Sequence, residues 1–508
     1  MKKSLFYIAA AALALVSCNE EELVQVPVNQ VNGVLTVAFE QDGATRTTIT
    51  SSEDKSNTLA WSEGDEIAVF GETAVKYTIS DVKAGIFQVA NGATAPTEIT
   101  GVAFPYSANA SLNGSTLTMT LPSEIDQTTA GELDLPMWAT VSEGNITLKH
   151  LAGVLKVNLA EVPAGYNTLT VTADKPISGS FSAELKEGEY PVLASASAES
   201  GNTVTVKFTE SSSPILYLPL PVDEYNSIVV SVSGTDKEPK VLKQWTSRSV
   251  VRAQVYATSV TDYTSVMTAK ELKAAVTKSG EVKLGANVTL DETLNISNDV
   301  TLNLNGKTLA GAFREPCIKS SGNLSISNGY ITNDGGAVLT TGGTLNMTDC
   351  YVTMTKGYRE NAVEITGDTK AVITGGWYKS TETLAAGEGT DWYGIGIVDG
   401  EVELNTTVEG TFGGGVTLAP QSGNRPNVTI TGGSYSGTIH HGLNMNGGDL
   451  TLNGNIEFDG KGGDIRVYTY TGTINGVGFG TEGDKTYTLE TLMSFINNKE
   501  QQGDEDKK

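Results

Sequence analysis

Leu324-Ser325-Ile326-Ser327-Asn328-Gly329, answered by Leu345-Asn346-Met347 and then by Ala371-Val372-Ile373, is the passage on which the fold turns. In each, apolar residues sit at i and i+2, so both side chains leave the same face of a strand. The unit recurs with inward pairs Leu302/Leu304, Leu324/Ile326, Leu345/Met347, Ala371/Ile373, Val402/Leu404, Val428/Ile430 and Leu450/Leu452. Successive first members are separated by 22, 21, 26, 31, 26 and 22 residues, within the range of solenoid repeats. Asn-Gly or Gly-Gly often follows, as at Asn305-Gly306, Asn328-Gly329, Gly375-Gly376 and Gly432-Gly433, and these residues tolerate the left-handed backbone that turns a coil. One coil cannot bury its own pair, whereas a stack buries a continuous column. The pattern predicts a solenoid over 263–485, with some seven to nine coils making a rod on the order of 40 Å long.

Outward from the repeat, Ala269 to Val276 reads as a short amphipathic helix with Leu272, Ala275 and Val276 on one face. Placed before the first coil, it is expected to cap the open strand edge. Beyond the rod, residues 486–508 read as a short helix from Tyr487 to Asn498 and an acidic tail from Glu500. The repeat resembles the right-handed parallel β-helix proteins of the pectate-lyase-like superfamily.

From Val34 to about Thr261 the strands vary in length and keep no period. Val34 to Phe39, Ile67 to Phe70, Thr116 to Leu121, Val154 to Leu159, Val204 to Phe208 and Ile228 to Val232 alternate or run apolar between turn residues. That is β-sandwich grammar. Thr45-Arg46-Thr47, Trp61-Ser62-Glu63-Gly64-Asp65, Phe104-Pro105-Tyr106, Leu148-Lys149-His150-Leu151-Ala152-Gly153, Leu216-Tyr217-Leu218-Pro219 and Val251-Arg252-Ala253-Gln254-Val255-Tyr256 follow in order. Together they resemble the fimbrillin-like (FimA/Mfa-type) surface proteins of Bacteroidetes. The resemblance implies an all-β chain with two transthyretin-like β-sandwich subdomains, 33–163 and 164–262, ahead of the β-helix. It also implies relatives that serve as pilus stalk, tip or anchor subunits. In polymerising members an Arg-directed protease removes the first strand, opening a groove that a neighbour's strand fills, a form of β-strand addition. Arg46 is then a processing site, or equally a strand residue of a member that never polymerises.

The chain opens Met1-Lys2-Lys3 and runs apolar from Leu5 to Val16, signal-peptide length and too short to span a bilayer. Leu15-Val16-Ser17-Cys18 resembles the bacterial lipobox, which implies a signal at 1–17 and lipidation of Cys18. An acidic tether, 18–32, begins with Asn19 and Glu20-Glu21-Glu22 and resembles the export tag of surface lipoproteins. The expected partners are therefore the outer membrane through the lipid, fimbrial subunits, and a glycan or host surface protein. A net charge of −25 with 34 Lys and Arg argues against nucleic acid, since counterion release needs clustered cations.

No catalytic centre, metal site or cofactor is expected. Three His, two of them adjacent, do not make a zinc site. His440-His441 and Asp464-Ile465-Arg466 echo the His and Arg stations of polygalacturonase-like hydrolases, without their paired aspartates. Cys317 and Cys350 are read either as a disulfide or as stacked buried thiols. Trp377-Tyr378 and Trp392-Tyr393 form the densest aromatic group in the rod, so Trp377, Tyr378, Trp392 and Tyr393 are candidate sugar contacts, with loop packing as their competing use. The functional expectation is a surface adhesin or tip-like fimbria-associated lipoprotein. A tethered polysaccharide lyase or hydrolase and a structural spacer are the alternatives.

Overall fold

The computed structural model describes residues 33–505 apart from 41–49, 52–56, 59, 129–133, 142–145, 187–188, 211, 358–360, 381–382, 385–392, 411–413, 422, 439, 469–471 and 480–482. Strand makes up 55% and helix 5%, and the C-terminal half is a β-solenoid of about 7 turns. The all-β reading therefore holds. The chain forms two compact units that interleave in sequence: one holds 1–160, 170–226 and 247–259, the other 161–169, 227–246 and 260–508.

In the first unit, Glu66–Phe70, Ala74–Asp81 and Ile86–Val89 form an antiparallel meander, and Gly101–Phe104, Met137–Thr140 and Thr147–His150 extend its other side. One short segment then joins the two ends. Val34–Thr36 pairs antiparallel with Ile86–Val89, and Ala38–Phe39 pairs parallel with Thr147–His150. A sheet whose two edge strands are consecutive in the chain closes on itself and leaves neither edge free. At the step between them the Val37 N–H donates to Gly85 O at 2.9 Å, and Trp61 Nε1 donates to Val37 O at 3.1 Å. Trp61 meets Phe87 and Phe104 edge-on at 4.7 and 5.5 Å, filling the inside of the sheet. Elsewhere in this unit Thr116–Leu121 pairs with Gly179–Glu184, and Gly153–Leu159 pairs with Ile215–Leu220, both antiparallel.

In the second unit two long sheets run along the solenoid. One contains Val300–Asn303, Leu324–Asn333, Thr344–Met354, Lys370–Lys379, Glu401–Gly410, Asn427–Gly437 and Gly448–Gly460, paired in parallel. The other is built of short strands such as Tyr393–Ile397, Gly414–Leu418, Leu443–Met445 and Ile465–Val467, also parallel. The inward pairs stack as read from Leu324/Ile326 to Leu450/Leu452. The first coil departs from that reading, because Val300/Leu302, and not Leu302/Leu304, pairs with Leu324/Ile326. Val300, Leu302 and Leu304 alternate and are all buried, so apolarity alone permits a slip of two residues. Leu304 turns inward at the corner, its N–H donating to Ser327 O at 2.8 Å.

The corners explain the Asn and Gly. Asn305, Asn328 and Asp349 hold φ of 52, 60 and 50°, the left-handed region that Asn and Asp visit most readily among residues with a side chain. At the same corner one coil on, Gly376 has φ +73°, and a Cβ there would lie 2.0 Å from Cys350 O. Only glycine fits.

Both ends of the column are covered. Helix α1, Ala269–Ala275, starts at Thr268, whose Oγ accepts from the Glu271 N–H at 3.2 Å, and buries Leu272 against the first coils. Helix α2, Leu489–Glu505, buries Leu492 and Ile496 at the far end. It continues past the expected Asn498 into the acidic tail, since a helix nucleated by its packed turns propagates at little cost. The stack ends where Val477–Phe479 and Lys485–Tyr487 turn antiparallel to the rungs before them. A hairpin of Ile228–Gly234 and Lys237–Trp245 belongs to this unit and is fastened to α1 by Glu271. Its carboxylate accepts from the Val241 N–H (3.0 Å), the Met267 N–H (2.8 Å) and the Lys240 ammonium (3.1 Å). Cys317 and Cys350 are free and buried, and burial pushes both thiols up to about 12. They pack as small apolar groups.

Candidate functional site

The long strands resume their alternation after the corner, and in Leu324–Asn333, Thr344–Met354 and Lys370–Lys379 the sixth residue beyond the first inward one points out. In three consecutive coils that residue is aromatic: Tyr330 after Leu324, Tyr351 after Leu345, Trp377 after Ala371. Register makes them neighbours, with Tyr330 beside Tyr351 and Tyr351 beside Trp377. The two tyrosine rings stack at 5.1 Å with planes 27° apart, yet the residues remain 48% and 43% exposed. The Lys379 ammonium lies 5.2 Å from the Trp377 ring. Beyond Trp377 the ladder becomes Thr407, Ser434 and Glu457. The result is a strip of aromatic surface along the outside of a rigid sheet, a surface suited to C–H and apolar contact with an extended ligand.

A second cluster lies at the later strands of the short-stranded sheet. Asn444 Nδ2 donates to the Tyr393 hydroxyl at 3.0 Å. Gly414 leaves room for that ring, since a Cβ there would come within 2.4 Å of it. The His440 ring faces Tyr393 at 6.4 Å, and His441 meets Thr486 Oγ at 3.4 Å. Arg466 holds Asp484 through two bonds of 3.0 and 2.7 Å and stacks on Tyr468 at 3.9 Å. Burial, with Arg466 and His440 nearby, holds His441 below the usual imidazole value. Burial and the Asp459 charge raise Asp464. The His and Arg stations do meet here, but Arg466 is engaged with a carboxylate and His441 is buried. Among the described residues no group of three or more His, Cys, Asp or Glu is placed to hold a metal.

Of the four aromatics singled out in the sequence, Trp377 joins the outer ladder. Tyr378 faces the column and is fully buried, because it is one step out of phase with Trp377. Tyr393 is 8% exposed and packs over Gly414. Trp392, like Cys18 and Arg46, lies outside the described residues. Tyr330 and Tyr351 were not picked out by density of aromatics along the chain. Aligning every coil on its inward pair and comparing outward positions would have found them.

No protein-family profile matches the chain, and no curated protein matches it. Among solved structures, it is similar to a protein from Bacteroides ovatus proposed to act in cell adhesion, at 11% identity over 44% of this chain and 91% of that one, with a TM-score of 0.29. A protein of the same description from Bacteroides uniformis shares 12% over 45% and 93%, TM-score 0.28. A fimbrial protein from Bacteroides ovatus shares 13% over 45% and 49%, TM-score 0.23.

Proposed function

We propose that this chain is a lipid-anchored cell-surface adhesin whose solenoid contacts glycans through the outer ladder Tyr330–Tyr351–Trp377. One observation carries the reading: two tyrosines and a tryptophan share one register line on the outside of the rod, with the tyrosines about half in water. Apolar surface left in water forgoes roughly 25 cal/mol per Å², and aromatic rings stacking on sugar C–H faces recover it. In this reading Cys18 carries the lipid and opens the tether 18–32, residues 33–163 and 164–262 are two transthyretin-like sandwiches, and the β-helix is right-handed. The rod is the recognition element and the outer membrane is its location.

The test is binding of the full chain to glycan-coated surfaces before and after Tyr351→Ser and Trp377→Ala. Binding is expected to fall at least tenfold while the melting temperature stays within a degree or two, as for surface substitutions. Unchanged binding by well-folded variants would remove the ladder from the site. For the anchor, Cys18→Ala is expected to move the protein from the detergent phase to the aqueous phase. Partitioning indifferent to the substitution would refute lipidation at Cys18.

A further inference from the structure

We infer that the ladder takes an uncharged, linear glycan lying along the solenoid axis, an inference that rests on the ladder being the contact surface. Direction comes first. The three aromatic rungs are successive coils, so they advance along the axis by roughly 4.8 Å each and span about 10 Å. A glycosyl unit in an extended chain is of similar length, so a chain laid along the axis offers one ring to each rung. A chain laid along a strand, perpendicular to the axis, would meet a single aromatic. The line then continues into hydroxyls, Thr407 and Ser434, which both donate and accept and so match further sugar hydroxyls.

Charge decides the class. Two cations of these coils already have acidic partners: Lys379, beside Trp377, lies 3.7 Å from Glu409, and Lys356 lies 2.8 Å from Asp334. At the far end both outer lines finish on acids, Glu457 in the aromatic line and Asp459 in the one beside it. A polyanion placed along the ladder would have to break those pairs and then meet carboxylates, on a chain of net charge −25. A neutral chain meets none of these costs, and its binding should be insensitive to salt because no charge is screened.

Affinity electrophoresis of the full-length protein tests this, with gels containing neutral polymers (β-glucan, xylan, mannan, dextran) or polyanions (polygalacturonate, chondroitin sulfate). Retardation is expected with at least one neutral polymer and with neither polyanion, unchanged by added salt and lost in Tyr351→Ser. Among oligosaccharides of the retained polymer, a pentamer should bind at least tenfold tighter than a dimer. Retardation by a polyanion that salt abolishes would overturn the class, and a dimer as good as the pentamer would overturn the axial placement, while both leave the ladder as the contact surface. Retardation by no polymer at all would overturn the glycan reading itself.

Discussion

His441 sits in the corner with Tyr393, Arg466 and Asp484, and burial keeps its imidazole below the ordinary value. Asp484 and a hydrogen bond with Gly462 pull the other way without reversing the shift. A histidine with a depressed folded value is bound neutral, so its contribution is whole above the unfolded value of about 6.5 and is lost as pH falls through the interval below. The melting temperature should therefore decline as pH falls below the unfolded value of about 6.5, and His441→Gln should flatten that slope while keeping a polar atom near Thr486. Equal slopes in the two proteins would show that another group titrates. At this scale the sequence is legible only where phase is known. Trp377 and Tyr378 are adjacent and both aromatic, yet the corner at Gly375-Gly376 sends one out and the other in. Composition says nothing about that, whereas the repeat does.

Among the elements, the coils and α1 can be read from local pattern because each announces itself by spacing: i and i+2 for a rung, one apolar face for the cap. The closing strand cannot. Val34 to Phe39 is recognisable as a strand, but nothing local tells that its halves pair with Ile86–Val89 and Thr147–His150, which are partners distant in the chain. What fixes the segment is also distant. Glu40, just past it, accepts from the His150 N–H at 2.8 Å and from Arg252 at 2.5 Å, with side chains only 8% and 17% exposed. Removing one partner of a mostly buried pair costs about 3 kcal/mol, the surviving charge being left without compensation. Arg252→Ala is thus expected to lower the unfolding free energy by about that much, and Glu40→Gln in addition should restore part of it, because no charge is then stranded. Denaturant unfolding of the single and double variants checks this. A double variant no more stable than Arg252→Ala alone would mean that the pair does not hold the strand.

For the whole molecule, the sequence divides into two grammars near residue 262, one without a period and one with it. The compact units are not so simply divided, because 161–169 and 227–246 pack with the solenoid while 247–259 packs with the first unit. Periodicity could not reveal this, since the hairpin Ile228–Gly234/Lys237–Trp245 has ordinary strand composition and its bonds to the start of the rod, to the Glu271 carboxylate and the Ser265 carbonyl, join residues distant in the chain. That carboxylate satisfies three donors at the start of the rod, and two of them, the Val241 N–H and the Lys240 ammonium, lie on the hairpin. A fragment beginning at residue 260 keeps every coil but loses those two donors. Glu271 would then retain the Met267 N–H and its place in the cap of α1, with its charge less compensated and Leu272 less firmly held over the first coil. Because a solenoid is stable through nearest-neighbour interfaces, loosening the cap should fray the first coils without dissolving the rest. The fragment is therefore expected to fold, to melt below the solenoid transition of the full chain, and to exchange backbone amides of Gly280–Lys283 and Val300–Asn303 faster than those of Asn427–Gly437. Lys240→Ala with Glu271→Gln in the full chain should reproduce that pattern with the hairpin present. A fragment that melts with the intact protein and protects its first coils equally would show that the helix alone suffices as the cap.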